Sequence, residues 1–219
     1  MSGPPAPAAR LKADIVVLRA GTELHQLYDS AHAAGSFHPG TGPASHGGLA
    51  KPTRFAPIRD RKGKLVPYLY AGESLQCAIF ETVFHDVDFT AAAPVVQLSD
   101  FGSRAHARLV PQRDLRLVRL HGRALLQLKV TRLLLIESPP RCYPATAAWA
   151  QALHHQDGHV DGLVWKSRKL DDQDSYLLFG DRVKAGALAA TAMSAALNVD
   201  PGLRSAVVQE ALAVGVLTV

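Results

Sequence analysis

A glutamate inside an apolar helical pattern is the residue in this sequence best suited to chemistry. Glu81 follows Ile79 and Phe80, and apolar residues recur around it at the three- and four-residue spacing of an amphipathic helix. An ionised carboxylate near a core is costly unless something specific requires it. Such a carboxylate could stabilise a developing cation, act as a base or pair with a nearby arginine. A structural pair with His85, one turn later, would account for both residues equally well.

Three further residues lie where they could share a cleft with Glu81. Arg54 follows a glycine-rich stretch and precedes Phe55. Its planar guanidinium could bind a phosphate or a carboxylate, and an ordinary ion pair is the alternative. Tyr70 ends a predicted strand, where its ring could face the cleft or simply pack. Ser167 closes a later strand, and its hydroxyl could point to the same cleft or complete a turn.

A histidine cluster suggests a metal site, but the spacing does not support one. His155 and His159 are four residues apart, with Asp157 and Asp161 beside them. No cysteine or glutamate is near, and Gly158 weakens the helix that would align the pair. The sequence also lacks the glycine-rich phosphate loop, the dinucleotide fingerprint and the hydrolase serine elbow. We therefore expect no metal, and neither kinase, Rossmann nor α/β-hydrolase chemistry.

The positive charge of the chain is concentrated in its middle. The 219 residues carry a formal net charge of +5, and residues 103–132 hold seven arginines and one lysine against a single acid, Asp114. Clustered arginines can neutralise nucleic-acid phosphates or contact an acidic protein. Leucines and valines are interleaved with these charges, so the pattern favours the solvated faces of amphipathic strands and a short helix.

The elements that must position the candidate residues are short and mixed. Strands are predicted over residues 14–19, 66–70, 94–99, 108–110, 115–120, 162–167 and 175–179, with a β-prone piece at 214–219. Helices are predicted over 23–34, 74–85, 122–130, 145–155 and 203–213. A Gly-, Pro- and His-rich stretch over 35–51 predicts a long surface loop. Strands and helices do not alternate regularly, so we expect a single α+β domain with a mixed sheet.

The start of the chain and its cysteines bear on its compartment. After the initiator Met there is no large apolar residue before Leu11, so residues 1–12 are predicted to be a flexible tail and 13–219 the folded domain. No apolar run is long enough for a secretory signal or a membrane span. The two cysteines, Cys77 and Cys142, form no disulfide framework and fit a reducing cytoplasm.

Taken in order, the candidate residues and their surroundings resemble the RES domain, a family named for an arginine, a glutamate and a serine. The matching positions are Arg54 in Thr-Arg-Phe-Ala-Pro, Glu81 in Ala-Ile-Phe-Glu-Thr-Val-Phe-His and Ser167 in Asp-Gly-Leu-Val-Trp-Lys-Ser-Arg. Tyr70, eleven residues before Glu81, and Leu-Leu-Phe-Gly-Asp-Arg-Val ending at Val183 add to the match, which runs over about residues 16–183. The charged segment 59–64 lengthens the link between the arginine and the tyrosine strand, a departure that could change how Arg54 reaches the cleft.

This resemblance implies a fold similar to ADP-ribosyltransferase toxins and a role as the toxin of a type II toxin–antitoxin pair in the cytoplasm. It implies an enzyme that cleaves the nicotinamide–ribose bond of its substrate NAD, without a metal. ADP-ribose would pass to a protein side chain or to inorganic phosphate, and transfer to water, the reaction of a glycohydrolase, is the third alternative. The implied partner is an Xre-type helix-turn-helix antitoxin that covers the active site, so that nucleic acid is reached only through the antitoxin and no membrane is involved.

The resemblance also implies roles for individual residues. Glu81 would stabilise the positive charge of an oxocarbenium-like state, with His85 as its supporting partner. Arg54 would clamp the pyrophosphate, Tyr70 would stack on the nicotinamide, and Ser167 would hydrogen-bond the ribose or the carboxamide. The implied NAD contacts are Arg54, Phe55, Tyr70, His85 and Ser167. The alternative function is a non-enzymatic basic module that binds nucleic acid or protein through residues 104–132.

Overall fold

Twelve strands and five α-helices make up the described part of the chain. The computed structural model describes residues 3–43, 48–156, 159–184 and 186–219. The strands are β1 (Ile15–Leu18), β2 (Leu24–Asp29), β3 (Ile58–Arg59), β4 (Leu65–Val66), β5 (Tyr68–Gly72), β6 (Val95–Val96), β7 (Arg104–Pro111), β8 (Leu115–Arg119), β9 (Gly162–Lys166), β10 (Asp174–Phe179), β11 (Leu188–Ala196) and β12 (Leu217–Thr218). The helices are α1 (Leu75–Thr82), α2 (Arg123–Leu128), α3 (Arg132–Leu135), α4 (Tyr143–Gln156) and α5 (Pro201–Ala213).

Eight of the strands form one mixed sheet around which a single α+β domain is built. Their order is β1-β8-β9-β10-β5-β2-β7-β11. The β8–β9 pair is parallel, and the other pairs within this sheet are antiparallel. A parallel pair needs a long crossover, and here α2, α3 and α4 supply it. The predicted α+β fold with a mixed sheet is confirmed.

Side chains alternate between the two faces of the central strands, and this alternation divides the hydrophobic core into separate clusters. Leu163 and Trp165 of β9 pack with the helices of the crossover, whereas Val164 belongs to a separate cluster with Leu109 and Leu117. Successive side chains of a strand point to opposite faces, so the two clusters lie on opposite sides of β9. A third cluster joins α1 and α5. Burial on both faces gives the strands that carry the candidate site a fixed position.

The predicted helix at Glu81 exists but is shorter than expected. Ser74 is its N-cap, and its Oγ accepts a hydrogen bond of 3.0 Å from the backbone N–H of Cys77. The turn from β5 into α1 is so close that a Cβ on Gly72 would lie 2.8 Å from the backbone nitrogen of Ala78. α1 ends at Thr82, so the prediction that it reaches residue 85 is wrong.

Two sequence predictions fail, and one edge strand was missed. The segment predicted as a helix over 23–34 is the strand β2, in which Leu24 and Gln26 are buried with the two-residue period of a strand. The edge strand β11 was not predicted at all. The predicted strand at 94–99 is only β6 followed by a 3₁₀ turn. In the predicted loop 35–51, residues 44–47 lie outside the described residues.

The predicted tail makes specific contacts from its third residue onward. The indole N–H of Trp149 donates to the carbonyl of Pro5 at 2.7 Å, and the backbone N–H of Leu11 donates to Gln156 at 2.6 Å. Leu11 is buried in the core beside α4. Residues 3–12 are therefore attached to the domain rather than extended from it as a free tail. Both cysteines are free and buried. Within the ranges given above, no helix combines the length and the apolar character required to cross a bilayer.

Candidate active site

Glu81 and Ser167 meet directly, although α1 and the end of β9 are far apart in sequence. Ser167 Oγ donates to Glu81 Oε1 at 2.6 Å, and the backbone N–H of Arg168 donates to the same oxygen at 3.0 Å. Both bonds are made to an ionised acceptor, which makes them stronger than neutral ones. Among the described residues, Glu81 Oε2 accepts no hydrogen bond. One carboxylate oxygen is held by two hydrogen bonds, and the other has none from the described residues.

The loop after β9 fixes the serine hydroxyl. Ser167 is fully buried, and its Oγ accepts from the backbone N–H groups of Lys169 and Leu170 at 3.2 Å each. The Arg132 guanidinium donates to the Ser167 carbonyl at 2.9 Å. With two donors aimed at its oxygen, the hydroxyl has its proton directed at Glu81. The serine therefore orients the carboxylate in addition to closing a turn.

Arg54 is buried without a carboxylate partner. Its residue is only 4% exposed, and no carboxylate of the described residues lies within ion-pair distance of it. Nη1 donates to the carbonyl of Ser138 at 3.3 Å, whereas Nη2 is buried with no hydrogen-bond partner. The guanidinium carbon lies 5.3 Å from the ring centroid of Tyr143. Desolvation lowers the pKa of Arg54, which the nearby Tyr143 and Glu81 partly oppose. Arg54 therefore does not form the ordinary ion pair that the sequence analysis gave as the alternative to anion binding.

Tyr70 and Phe55 shape the loop that carries Arg54. The Tyr70 hydroxyl accepts from the backbone N–H of Phe55 at 3.1 Å and shares a hydrogen bond of 3.0 Å with Thr53 Oγ1. Both aromatic rings meet Trp165 edge to face, at centroid distances of 5.1 Å for Phe55 and 6.1 Å for Tyr70. Burial raises the pKa of the Tyr70 hydroxyl. The tyrosine thus ties β5 to both neighbours of Arg54.

His85 lies beyond the end of α1 and contacts residues other than Glu81. Its Nδ1 is 2.7 Å from an Asp86 carboxylate oxygen, and its Nε2 is 3.3 Å from the Tyr143 hydroxyl. The structure therefore does not form the Glu81–His85 hydrogen bond considered from the sequence. Through Tyr143, His85 is connected to the surroundings of Arg54 instead.

Three residues near Arg54 were not predicted from the sequence. They belong to the crossover between β8 and β9: Ser138, Tyr143 and Thr146. The Thr146 hydroxyl donates to the Arg54 carbonyl and thereby fixes the backbone of the arginine. No motif marks these residues, because only the packing of α4 against the Arg54 loop brings them to the site.

The histidine cluster and the basic middle segment have local partners. His154 Nε2 lies 2.9 Å from Asp181, and His155 Nε2 lies 2.8 Å from the carbonyl of Arg59. Asp157 and Gly158 are outside the described residues, and the remainder of the described chain holds no group of three possible metal ligands. Four of the clustered arginines form ion pairs, namely Arg108–Glu23, Arg113–Asp161, Arg119–Asp14 and Arg132–Glu137. Much of the local positive charge is therefore compensated within the chain.

The mixed sheet places a buried arginine close to a glutamate and a serine that are hydrogen-bonded to each other. The comparison with known families identifies the class of protein that has these residues. The sequence model of the RES domain matches residues 25–200, so the chain belongs to the RES domain family, as its motifs predicted. One solved structure is similar over most of the fold, a chain from the crystal structure of the M. tuberculosis MbcT–MbcA toxin–antitoxin complex. The TM-score is 0.55 at 14% sequence identity, covering 87% of this chain and 91% of that chain. The comparison with curated proteins returns no match.

Proposed function

We propose that this protein is the toxin of a type II toxin–antitoxin pair and that it consumes NAD. It cleaves the nicotinamide–ribose bond and passes ADP-ribose to an acceptor, either a protein side chain or inorganic phosphate. The observation that carries the proposal is Arg54, a buried cation that has neither a hydrogen bond at Nη2 nor a carboxylate partner among the described residues. A buried charge is retained at such a position when a ligand compensates it. The pyrophosphate of NAD supplies that negative charge, and a guanidinium suits it.

The carboxylate arrangement supports the proposed bond cleavage. The C1′–N1 bond breaks with its electron pair moving to the nicotinamide nitrogen, which neutralises the pyridinium and leaves positive charge on the ribose. Glu81 Oε2, which has no hydrogen bond from the described residues, stabilises this charge directly or through a ribose hydroxyl. Ser167 and the Arg168 N–H hold Oε1 and keep the carboxylate in position. The acceptor oxygen then bonds to C1′ and, if it is a hydroxyl, loses its proton.

Replacement of Glu81 by glutamine tests the proposal. Glutamine keeps the side-chain shape and an oxygen that can accept from Ser167, but it removes the charge. We expect nicotinamide release from NAD to fall by roughly 100-fold or more, because transition-state charge stabilisation of this kind typically contributes that much. Glu73→Gln is the matched control, since the one hydrogen bond that the Glu73 carboxylate accepts among the described residues comes from the backbone N–H of Asp174, at 2.7 Å. Undiminished release by Glu81→Gln would refute the proposed role of this carboxylate.

The acceptor is identified with the same purified protein. Release that depends on inorganic phosphate supports phosphorolysis, whereas adenylate-derived label on a protein band supports transfer to a side chain. Toxicity in cells that survives Glu81→Gln would favour a non-enzymatic basic module instead.

We also propose an Xre-type helix-turn-helix antitoxin as the partner. Family membership supports it, as does a fold similar to a chain of a toxin–antitoxin complex. Such a partner would insert a segment beside Arg54 and Tyr70 and keep NAD out. The prediction is that the partner and NAD compete. A complex that binds NAD as tightly as the free protein would contradict this mode of inhibition.

A further inference from the structure

Two buried polar groups without partners among the described residues belong to Arg54 and Ser138, which contact each other through a different pair of atoms. Ser138 is 3% exposed, and its buried hydroxyl has no hydrogen-bond partner in the part of the chain that the structure describes. Its own carbonyl receives Nη1 of Arg54, whose Nη2 is likewise without a partner. Buried polar groups in folded proteins are nearly all hydrogen-bonded, so neighbouring exceptions call for an explanation. A ligand that binds both groups would satisfy both of them.

The two groups together indicate the kind of ligand. Both can donate a hydrogen bond and one carries a positive charge, so the complementary ligand is an anion with acceptor oxygens. Arg54 already uses Nη1 for the Ser138 carbonyl, which leaves one guanidinium nitrogen and a separate hydroxyl. Donors placed in this way suit a tetrahedral phosphate, whose oxygens point in several directions, better than a planar carboxylate that takes both nitrogens of the fork.

We propose that Ser138 is a ligand-binding residue, whose hydroxyl and Arg54 Nη2 bind two oxygens of one phosphate group of a nucleoside diphosphate ligand. The inference rests on the proposed function, because ADP-ribose is the portion of NAD that carries these phosphates. Nothing in the sequence motifs assigns a role to Ser138, which lies between α3 and the proline pair that precedes α4.

Tyr143 is the cover of this phosphate site. Its ring lies over the Arg54 guanidinium at 5.3 Å, and its hydroxyl is connected to His85 Nε2 by one bond of 3.3 Å. That distance is at the long limit for a hydrogen bond, so this bond is weak. Arg54 Nη2 and the Ser138 hydroxyl are both out of contact with solvent. A phosphate therefore reaches them only when the surrounding side chains move, and the Tyr143 ring over the guanidinium is one of these.

The test of Ser138 compares ligand affinity with stability. Titration calorimetry is done with ADP-ribose, which lacks the nicotinamide–ribose bond and is therefore not turned over. Ser138→Ala is expected to weaken ADP-ribose binding roughly tenfold, the typical loss of one hydrogen bond to a charged group, and to leave nicotinamide binding unchanged. The midpoint of thermal unfolding should stay constant or rise, because the variant removes an unsatisfied buried hydroxyl. Thr146→Val is the contrast, since its hydroxyl bonds the Arg54 carbonyl and its removal should lower the midpoint.

The outcomes separate this inference from the proposed function. Suppose that wild-type protein releases nicotinamide and that Ser138→Ala binds ADP-ribose as tightly as its parent. This result overturns the inference about Ser138 and leaves the proposed function standing. A lower unfolding midpoint for Ser138→Ala overturns it too, because the hydroxyl would then be holding the fold. Wild-type protein that neither releases nicotinamide nor binds ADP-ribose overturns both. Weaker ADP-ribose binding with an unchanged or higher midpoint supports the inference, even if NAD is not turned over.

Discussion

Replacing Ser167 by alanine removes the hydroxyl at the centre of the site. In the structure this hydroxyl donates to Glu81 Oε1 at 2.6 Å and accepts from the N–H groups of Lys169 and Leu170, each at 3.2 Å. The variant therefore loses one charge-assisted bond and leaves two backbone donors without their acceptor. Arg168 N–H still holds Glu81, so the carboxylate keeps one of its two bonds.

The expected loss of stability follows from these three bonds. A hydrogen bond to a charged group contributes about 1.5–3 kcal/mol, and an unsatisfied buried donor costs a similar amount. The two backbone donors make long bonds in partly buried surroundings, where water can replace part of the loss. We therefore expect the free energy of unfolding to fall by about 2–4 kcal/mol, less than the sum of the three bonds. For a chain of this size the unfolding midpoint should drop by about 5–15 °C.

Thermal and urea unfolding measure this loss, with Ser175→Ala as the matched control. Ser175 is a buried serine of β10 whose hydroxyl meets only the thiol of Cys77, at 3.4 Å. A contact to sulfur is weak, so the control should lose less than about 1 kcal/mol. Nicotinamide release should fall in Ser167→Ala alone. If the two variants unfold at the same midpoint, the bonds to Ser167 do not hold the loop and the reasoning fails.

Two further perturbations probe a buried carboxylate and a partly buried histidine away from the site. Asp161→Asn should lower the free energy of unfolding by about 2–3 kcal/mol. The reason is that Asp161 is buried and accepts hydrogen bonds from both terminal guanidinium nitrogens of the half-exposed Arg113. An unchanged urea midpoint would contradict this prediction. Acid should also destabilise the protein, since burial and the adjacent His25 lower the pKa of His106 from 6.5 to about 4. The unfolded state then binds the proton more readily, so this contribution to stability is complete above about pH 6.5 and is lost as the pH falls towards 4. His106→Gln should flatten that decline in unfolding measured over this range, and a decline as steep as that of wild type would show that other groups cause it.

Local patterns predicted the elements whose periodicity is strong. The capped start of α1 and the apolar runs of β9 and β10 were identified because their side chains face a core on one side or both. β2 was mistaken for a helix because Leu24 and Leu27 are three residues apart, a spacing that also fits one face of a helix. β11 is mostly alanine, which carries little β-propensity, so pairing with β7 rather than composition makes it a strand.

Some residues of the candidate site could likewise be predicted from the sequence, and others could not. Motif order brought forward Glu81, Ser167 and Arg54, and the structure places the first two in contact and the third close by. Ser138 and Tyr143 could not be predicted, because what distinguishes them is a missing hydrogen-bond partner and a ring placed over a guanidinium. Both properties exist only once α4 has packed against the Arg54 loop.

The long separation between the halves of the site has a consequence during synthesis. Glu81 bonds Ser167 across 86 residues, and Arg54 bonds Ser138 across 84. β10, which pairs with both β5 and β9, ends only at Phe179. A nascent chain that has emerged as far as β7 already contains Arg54, Tyr70 and Glu81, yet it has nothing to orient the carboxylate or to cover the arginine. Chains that end before β10 therefore lack the assembled site, and the contacts that join its two halves form only late in translation.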